Sequence, residues 1–341
     1  MTRRTIVLDH LGGREAAALL VNGQLDDLLI DDDSAPRPGT VFRAVTDRGM
    51  KGQGGMVLRI PGGTAWLRGA SGLRPGEPML VQVTGTAEPG KAVPVTDRLL
   101  FKSRYAIVTP GAPGLNVSRQ IRDEEERARL VALAEDAMEG SDLGLILRSN
   151  AEGASEDDVA EDIQAMRDLA EKVLADAAGE PETLVEGDGP HLLAWREWSA
   201  PTVLTKPGGF AREGVLEQID ALRTPGADLG DAHVVIESTR ALVAVDVNTG
   251  GDTSPAAALK ANLAAARALP RQLRLRGLGG QVVVDFVSMS KGHRRQLEQS
   301  LRDAFRADPI ETSLVGWTAM GLYELSRKRE RIPTAPLLGE D

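Results

Sequence analysis

Residues 242–252 read LVAVDVNTGGD, and residues 279–286 read GGQVVVDF. Each is an apolar strand with an aspartate set toward its far end. Side chains alternate faces along a strand, so Asp246 and Asn248 share one side while Val245 and Val247 take the other. With a helix near 254–276 between them, residues 242–287 read as strand, helix, strand. Such a unit closes right-handed with its strands parallel. Open α/β sheets bind ligands beyond the carboxyl ends of their strands, which is where Asp246 and Asp285 lie. The two carboxylates are expected within several ångströms of one another.

Two bare carboxylates about 4 Å apart repel by roughly 4 kcal/mol at an effective dielectric near 20. A shared proton offsets that repulsion. So does a hard cation such as Mg²⁺, which takes one or two protein carboxylates and keeps several waters. Asn248 then bonds a metal-bound water or holds Asp246 in place. One aspartate alone reads as a strand cap or an ion-pair partner. Two, on strands this apolar and joined by a crossover helix, favour metal. A Mg²⁺ site with few protein ligands borrows phosphate oxygens from its substrate. The neighbouring RALPRQLRLRGLGG supplies Arg267, Arg271, Arg274 and Arg276, of which at most two are expected on phosphate. Pro270 inside this helix costs on the order of 3 kcal/mol, so a kink or a new helix start is expected there.

The chain has 341 residues, enough for two or three domains, and only 3% aromatics, so its core is built from aliphatic side chains. It has no cysteine, which excludes disulfides, thiolate zinc sites and cysteine catalysis. No apolar run approaches the roughly 20 residues of a membrane helix, and the start resembles no signal peptide, so a cytoplasmic protein without membrane contact is expected. Net charge is −10, which alone argues against nucleic acid. The charge is uneven: residues 121–190 hold 21 acids against 6 bases, and residues 260–306 hold 10 bases against 3 acids. The basic segment surrounds Asp285, and local sign is what a ligand meets.

Short strands open the chain. From Val41 to about Asp97, short strands separated by glycine turns predict a small barrel. RYAIVTP (104–110) and LGLILRS (143–149) read as buried strands, with a helix at DEEERARLVALAEDAM between them. Ser155 with Asp158 resembles a capping box before the next helix. HLLAW reads as a strand and EGVLEQIDALR as a short helix. HVVIES and RALVAVDV form a hairpin, and a last helix runs from Lys291 to Ala307. The tail from Ile332 reads as loose.

AVDVNTG, followed by ALKANLAAARALPRQLRLRGLGGQVVVDFVSM and by GLYELSRKR, resembles the catalytic core of the ribonuclease E/G family. The resemblance is dense over about 233–330. It extends upstream through NVSRQIRDEEERARL and LILRSNAEGASEDDVAEDI. It implies a mixed α/β fold: a ribonuclease-H-like catalytic domain with an inserted S1/OB-type β-barrel and a phosphate-sensing subdomain. The implied layout is 1–35 N-terminal strands of the catalytic region, 36–100 barrel, 101–190 5′-phosphate sensor, 191–232 reduced connecting subdomain, 233–331 catalytic core and 332–341 tail. The implied activity is Mg²⁺-dependent endonucleolytic cleavage of single-stranded RNA to 5′-phosphate and 3′-hydroxyl ends, with Mn²⁺ as an alternative ion. Asp246 and Asp285 would hold the metal and Asn248 would support them. Arg148 and Ser149 would form the 5′-phosphate pocket, with a backbone partner near Ser103 to Ile107. Met56, Trp66 and Lys91 fall at the RNA-contacting positions of the barrel. Trp66 can stack a base; Met56 stacks poorly and suits a core position.

The family's CPxCxG zinc-linker has no counterpart here, so no zinc and no assembly through a shared zinc are expected, although an oligomer of another kind is compatible. The four histidines, His10, His191, His233 and His293, lack metal-ligand spacing. Two other readings stand beside the endoribonuclease. One is an RNA-binding protein that kept the fold without catalysis. The other is a DNA-directed nuclease, since two aspartates and Mg²⁺ do not choose a sugar.

Overall fold

The structure, a computed structural model, describes residues 2–32, 34–50, 54–70, 72–87 and 90–339. The chain divides into two compact units, Met1–Asp32 with Ala200–Asp341, and Asp33–Ser199. It opens with an antiparallel meander, β1 (Arg4–Leu11), β2 (Arg14–Val21) and β3 (Gln24–Ile30). Asn22 and Gly23, both at positive φ, turn β2 into β3 as a tight hairpin requires.

The second unit begins with a barrel: β4 (Val41–Met50), β5 (Gly55–Ile60), β6 (Gly63–Arg68), β7 (Pro78–Val83) and β8 (Val93–Thr96). The order is β4-β5-β6-β8-β7, and β7 pairs back onto β4, so the sheet closes on five strands as in an S1/OB-like domain. Phe42, Ala44, Met56, Leu58, Leu67 and Val81 fill it. Next come β9 (Phe101–Lys102), β10 (Ala106–Thr109), β11 (Leu115–Val117), α1 (Glu124–Ala137), β12 (Gly144–Leu147) and α2 (Glu156–Ala175). These strands form a sheet in the order β11-β12-β10-β9. Leu130 and Ala134 of α1 and Val159 and Ile163 of α2 share a core with Val108, Leu145 and Leu147 of that sheet. The helices start as predicted: Asp123 accepts from the Glu125 and Glu126 amides, and Ser155 from the Asp158 amide at 3.2 Å. β13 (Glu182–Val185) pairs antiparallel with β4, where buried Arg43 ion-pairs with Asp176 and Glu182.

The strand expected at HLLAW is instead α3 (Pro190–Glu197). Proline at its first position suits a helix start. Pro190 and Ala194, four residues apart, are its buried positions. A run of four apolar residues after a histidine fits either periodicity, and position within the turn decided it.

The chain then returns to the first unit. β14 (Thr202–Leu204) joins β1 in parallel, giving the order β14-β1-β2-β3. After α4 (Gly209–Arg212) and α5 (Val215–Asp220) come β15 (Gly226–Asp228), β16 (His233–Ser238), β17 (Val243–Asn248), α6 (Pro255–Leu275), β18 (Gly280–Asp285), α7 (Lys291–Ala307), β19 (Thr312–Trp317) and β20 (Tyr323–Arg327). Their sheet is ordered β15-β16-β17-β18-β20-β19. β17 and β18 are parallel; all other pairs are antiparallel. Val243, Val245, Val247, Val282 and Val284 point one way and pack with Leu273 of α6 and Leu297 and Leu301 of α7. Fully burying each such side chain contributes about 1.5–3 kcal/mol.

The expectation for the tail is corrected, and two others are narrowed. No new helix starts at Pro270; α6 runs through it, and both Leu269 and Pro270 are buried, so packing holds the helix where a backbone bond is lost. Three of the four clustered arginines serve the fold. Arg274 is buried and ion-pairs with Asp26 and Asp308; Asp308 also pairs with buried Arg327. Arg276 is buried against Gln272, and Arg271 donates to the Leu25 carbonyl at 3.1 Å. Of the four, only Arg267 is exposed. The tail is not loose through Gly339. It forms α8 (Thr334–Leu337), and Thr334 donates its hydroxyl to the Leu275 carbonyl at 2.8 Å and its amide to the Arg276 carbonyl at 3.0 Å. Among the described residues, no helix is long and apolar enough to cross a membrane.

Candidate active site

Asp246 and Asp285 are in-register partners across the parallel β17–β18 pair. Adjacent strands lie about 4.8 Å apart, and both side chains are exposed on the sheet face opposite α6 and α7. Asn248 is also exposed on that face and donates from Nδ2 to Asp246 Oδ2 at 2.7 Å. The pattern that buries alternate valines is therefore what aims the acids outward. Among the described residues, no group of three or more His, Asp or Glu is placed to hold a metal ion. Two carboxylates with amide support are an oxygen-only set, which suits a hard cation that retains most of its waters.

The loop behind Asp285 is fixed by a residue that sequence reasoning missed. Asn262 of α6 is wholly buried. Its Nδ2 donates to the Val287 carbonyl at 2.8 Å and its Oδ1 accepts from the Val287 amide at 3.0 Å. A lone asparagine amid alanines, at a helix position otherwise facing the core, was the available signal. Ser254 and Ser290 cap α6 and α7, the helices that follow the two acid-bearing strands. The first turn of α7 contains no acid and starts with Lys291. His293 lies in that turn. Arg294 stacks over Trp317, 4.2 Å from the ring centroid, and Trp317 packs edge-on to Tyr323 beside Phe286.

In the other unit, Arg148 stands at the end of β12 and Ser149 opens a single 3₁₀ turn. The Arg148 amide donates to the Tyr105 carbonyl at 2.7 Å, so the 103–107 segment is beside it. Its guanidinium donates to the Ser103 and Arg196 carbonyls and ion-pairs with Glu197. Burial pushes the Glu197 carboxyl up, but Arg148 and Arg196 outweigh that and hold it below its ordinary range. Burial raises the Asp188 carboxyl, which ion-pairs with Arg196.

On the barrel, Trp66 is half-buried on the outer face, lying over Gly55, where any Cβ would collide with the indole. Met56 points inward and is 6% exposed, so it packs the barrel and presents nothing to a ligand. Lys91 is exposed ahead of β8, whose Pro94 pairs with Trp66. Arg48, Arg59 and Arg68 are exposed on the outer face around Trp66, through the pairs Arg48–Val57, Val57–Trp66 and Gly55–Arg68. Sequence reading passed over these three; the period-2 alternation of β5 and β6 would have placed Arg59 and Arg68 there.

Residues 101–205 and 202–330 match the model of the ribonuclease E/G family. The chain is 30% identical over 312 residues to ribonuclease E of Nostoc sp. (strain PCC 7120), covering 79% of this chain and 45% of that protein. It is 30% identical over 304 residues to ribonuclease G of Escherichia coli (strain K12), covering 76% of this chain and 61% of that protein. A similar match, 28% over 313 residues, is to ribonuclease E of Synechocystis sp. (strain PCC 6803). The matched stretch thus accounts for less than two thirds of each relative's length.

Proposed function

The chain belongs to the ribonuclease E/G family, and from that premise we propose that it is a metal-dependent endoribonuclease acting on single-stranded RNA in processing or decay. Cleavage would leave 5′-phosphate and 3′-hydroxyl ends, in the cytoplasm. The observation that carries this reading is the in-register pairing of Asp246 with Asp285 on an exposed sheet face, with Asn248 bonded to Asp246. The three-strand antiparallel meander whose last strand pairs in parallel beyond a crossover helix supports a ribonuclease-H-like core.

Asp246 and Asp285 would hold Mg²⁺ or Mn²⁺, which when bound supplies Lewis-acid activation of water and neutralises charge at the scissile phosphate. Asn248 keeps Asp246 from rotating away, so its carboxylate need not be ordered during binding. The exposed face admits a single strand, and the first turn of α7, which follows the β18 end, offers cations to its backbone. Arg148 and Ser149 would receive a 5′-phosphate, and Trp66 with the arginines around it and Lys91 would hold bases and phosphates of the strand.

The test is cleavage of a 5′-monophosphorylated single-stranded RNA with and without Mg²⁺, by the full chain and by Asp246→Asn and Asp285→Asn. Each substitution is expected to lower the rate by at least about 10²-fold, as removal of one charge-stabilising group does, with RNA affinity retained. Equal cleavage by Asp246→Asn would end the assignment. A second reading, RNA binding without cleavage, is favoured by the sparse ligand set: among the described residues no third acid or histidine joins the pair. Tight binding with no turnover in Mg²⁺ or Mn²⁺ would establish it.

A further inference from the structure

α3 ends in an arrangement that the phosphate-pocket reading does not use. Trp195 is 49% exposed, and Leu192, one turn earlier on the same helix, is 53% exposed. The Arg104 guanidinium lies 4.1 Å from the Trp195 ring centroid and donates to the Trp195 carbonyl. Among the described residues no carboxylate pairs with Arg104. The next carbonyl along, that of Arg196, accepts from Arg148 at 3.3 Å, and Glu197 pairs with Arg148. Arg104 and Arg148 are therefore anchored on consecutive residues of one helix end, beside an indole that faces water.

We propose that Trp195, held flat by Arg104, is a stacking platform for the 5′-terminal nucleobase of a single-stranded RNA whose terminal phosphate reaches Arg148. The inference rests on the RNA reading given above and adds the base to it. An exposed indole braced by a guanidinium is a π surface with a cation attached, the combination that holds single-stranded bases without reading their sequence. Arg148 has five N–H donors, of which the Ser103 and Arg196 carbonyls and Glu197 take three. Nε and one hydrogen on Nη2 remain for a phosphate oxygen. Among the described residues, the Arg104 guanidinium has only the Trp195 carbonyl as a hydrogen-bond partner. A nucleotide set across this helix end meets a stacking surface and two guanidinia, so base and phosphate are gripped together.

The experiment uses the full chain and trinucleotides, followed by calorimetry. One carries a 5′-monophosphate and a terminal adenine, one a 5′-monophosphate on an abasic ribose, and one a 5′-hydroxyl with the adenine. Wild type is expected to lose about 10-fold in affinity when the base is removed, within the range of stacking on one aromatic. Trp195→Ala should bind the base-bearing and abasic ligands equally, at the weaker level. Trp195→Phe should keep most of the difference. A wild type indifferent to the base, or a base effect that survives in Trp195→Ala, overturns the platform. Phosphate preference without base preference removes the platform alone. Base preference through Trp195 without phosphate preference removes the Arg148 pocket and leaves the platform. Failure of wild type to bind any of the three overturns both.

Discussion

Replacing Asn262 by Leu separates the strand-tip carboxylates from the loop that follows them. The side chain is wholly buried, and both its bonds go to the backbone of Val287, two residues past Asp285. Leucine has a similar shape but can make neither bond. An amide and a carbonyl left without partners cost about 1–3 kcal/mol each when buried. Val287 is only half-buried, so water reaches part of the vacated site and the lower end applies, about 2–4 kcal/mol in all. For a unit of this size that is a fall of roughly 5–15 °C in melting temperature. The chain has two units, so a single global transition is a poor readout. Hydrogen exchange at the Val287 amide reports the local opening directly. It should accelerate far more than exchange at Leu297 or Leu301, which stay packed. In the cleavage assay the Mg²⁺ concentration for half-maximal rate should rise while the KM for RNA holds. A Val287 amide exchanging at the wild-type rate, or a stability loss under about 0.5 kcal/mol, would refute the assignment of Asn262 as the positioning residue of this loop.

Trp66→Ala should weaken binding of single-stranded RNA by about 1–3 kcal/mol, whereas Met56→Leu, inside the barrel, should leave affinity unchanged; anisotropy titrations compare them, and an equal loss in both would contradict the inward packing of Met56. Glu126 is held down to about 2 from 4.5, first by its side-chain bonds to Arg129 and then by the Gly153 amide. A depressed carboxyl stabilises the fold fully above its unfolded value and loses that contribution as pH falls toward the folded one. The stability gap between wild type and Glu126→Gln should therefore shrink between pH 4.5 and 2, and a gap constant across that window in urea unfolding would show the pairing adds nothing.

Periodicity made the acid-bearing strands legible. Valines at alternate positions of β17 and β18 fix both the strand state and the outward aim of Asp246 and Asp285, and no tertiary detail is needed for that. Helix starts were readable for a similar local reason: Asp123 and Ser155 satisfy amides within three residues of themselves. What escaped depended on partners distant in the chain. Arg274 and Arg276 look like free cations until Asp26, Asp308 and the Thr224 carbonyl are placed beside them. Asn262 is an unremarked amide until Val287 arrives 25 residues later. HLLAW failed differently, because a histidine and four apolar residues carry no period long enough to separate strand from helix.

The charge ledger of the sequence was misleading in the same way, and correcting it sharpens how an acidic chain would hold RNA. Residues 260–306 carry 10 bases against 3 acids, yet Arg271, Arg274 and Arg276 spend their donors inside the fold, and Arg302 and Arg306 pair with Glu298 and Asp303. Arg267 is exposed on α6, which packs on the face opposite the acids, so the cations left for a ligand at the acids are those at the start of α7. The acids of 121–190 lie largely on α1 and α2 and the turns after them, where Arg129 and Arg167 already neutralise neighbours one turn away. Exposed charges farther apart than about 8 Å are largely screened at physiological salt, so a net charge of −10 does not govern what a strand meets locally. The first turn of α7 sharpens the point. Lys291 sits there with no acid in the same turn, where the helix dipole disfavours a cation by about 0.3–1 kcal/mol. That turn follows Asp285 by six residues. The first turns of α1 and α2 carry glutamate and aspartate whereas that of α7 carries none, so a phosphate backbone brought to this helix start would meet no carboxylate on it.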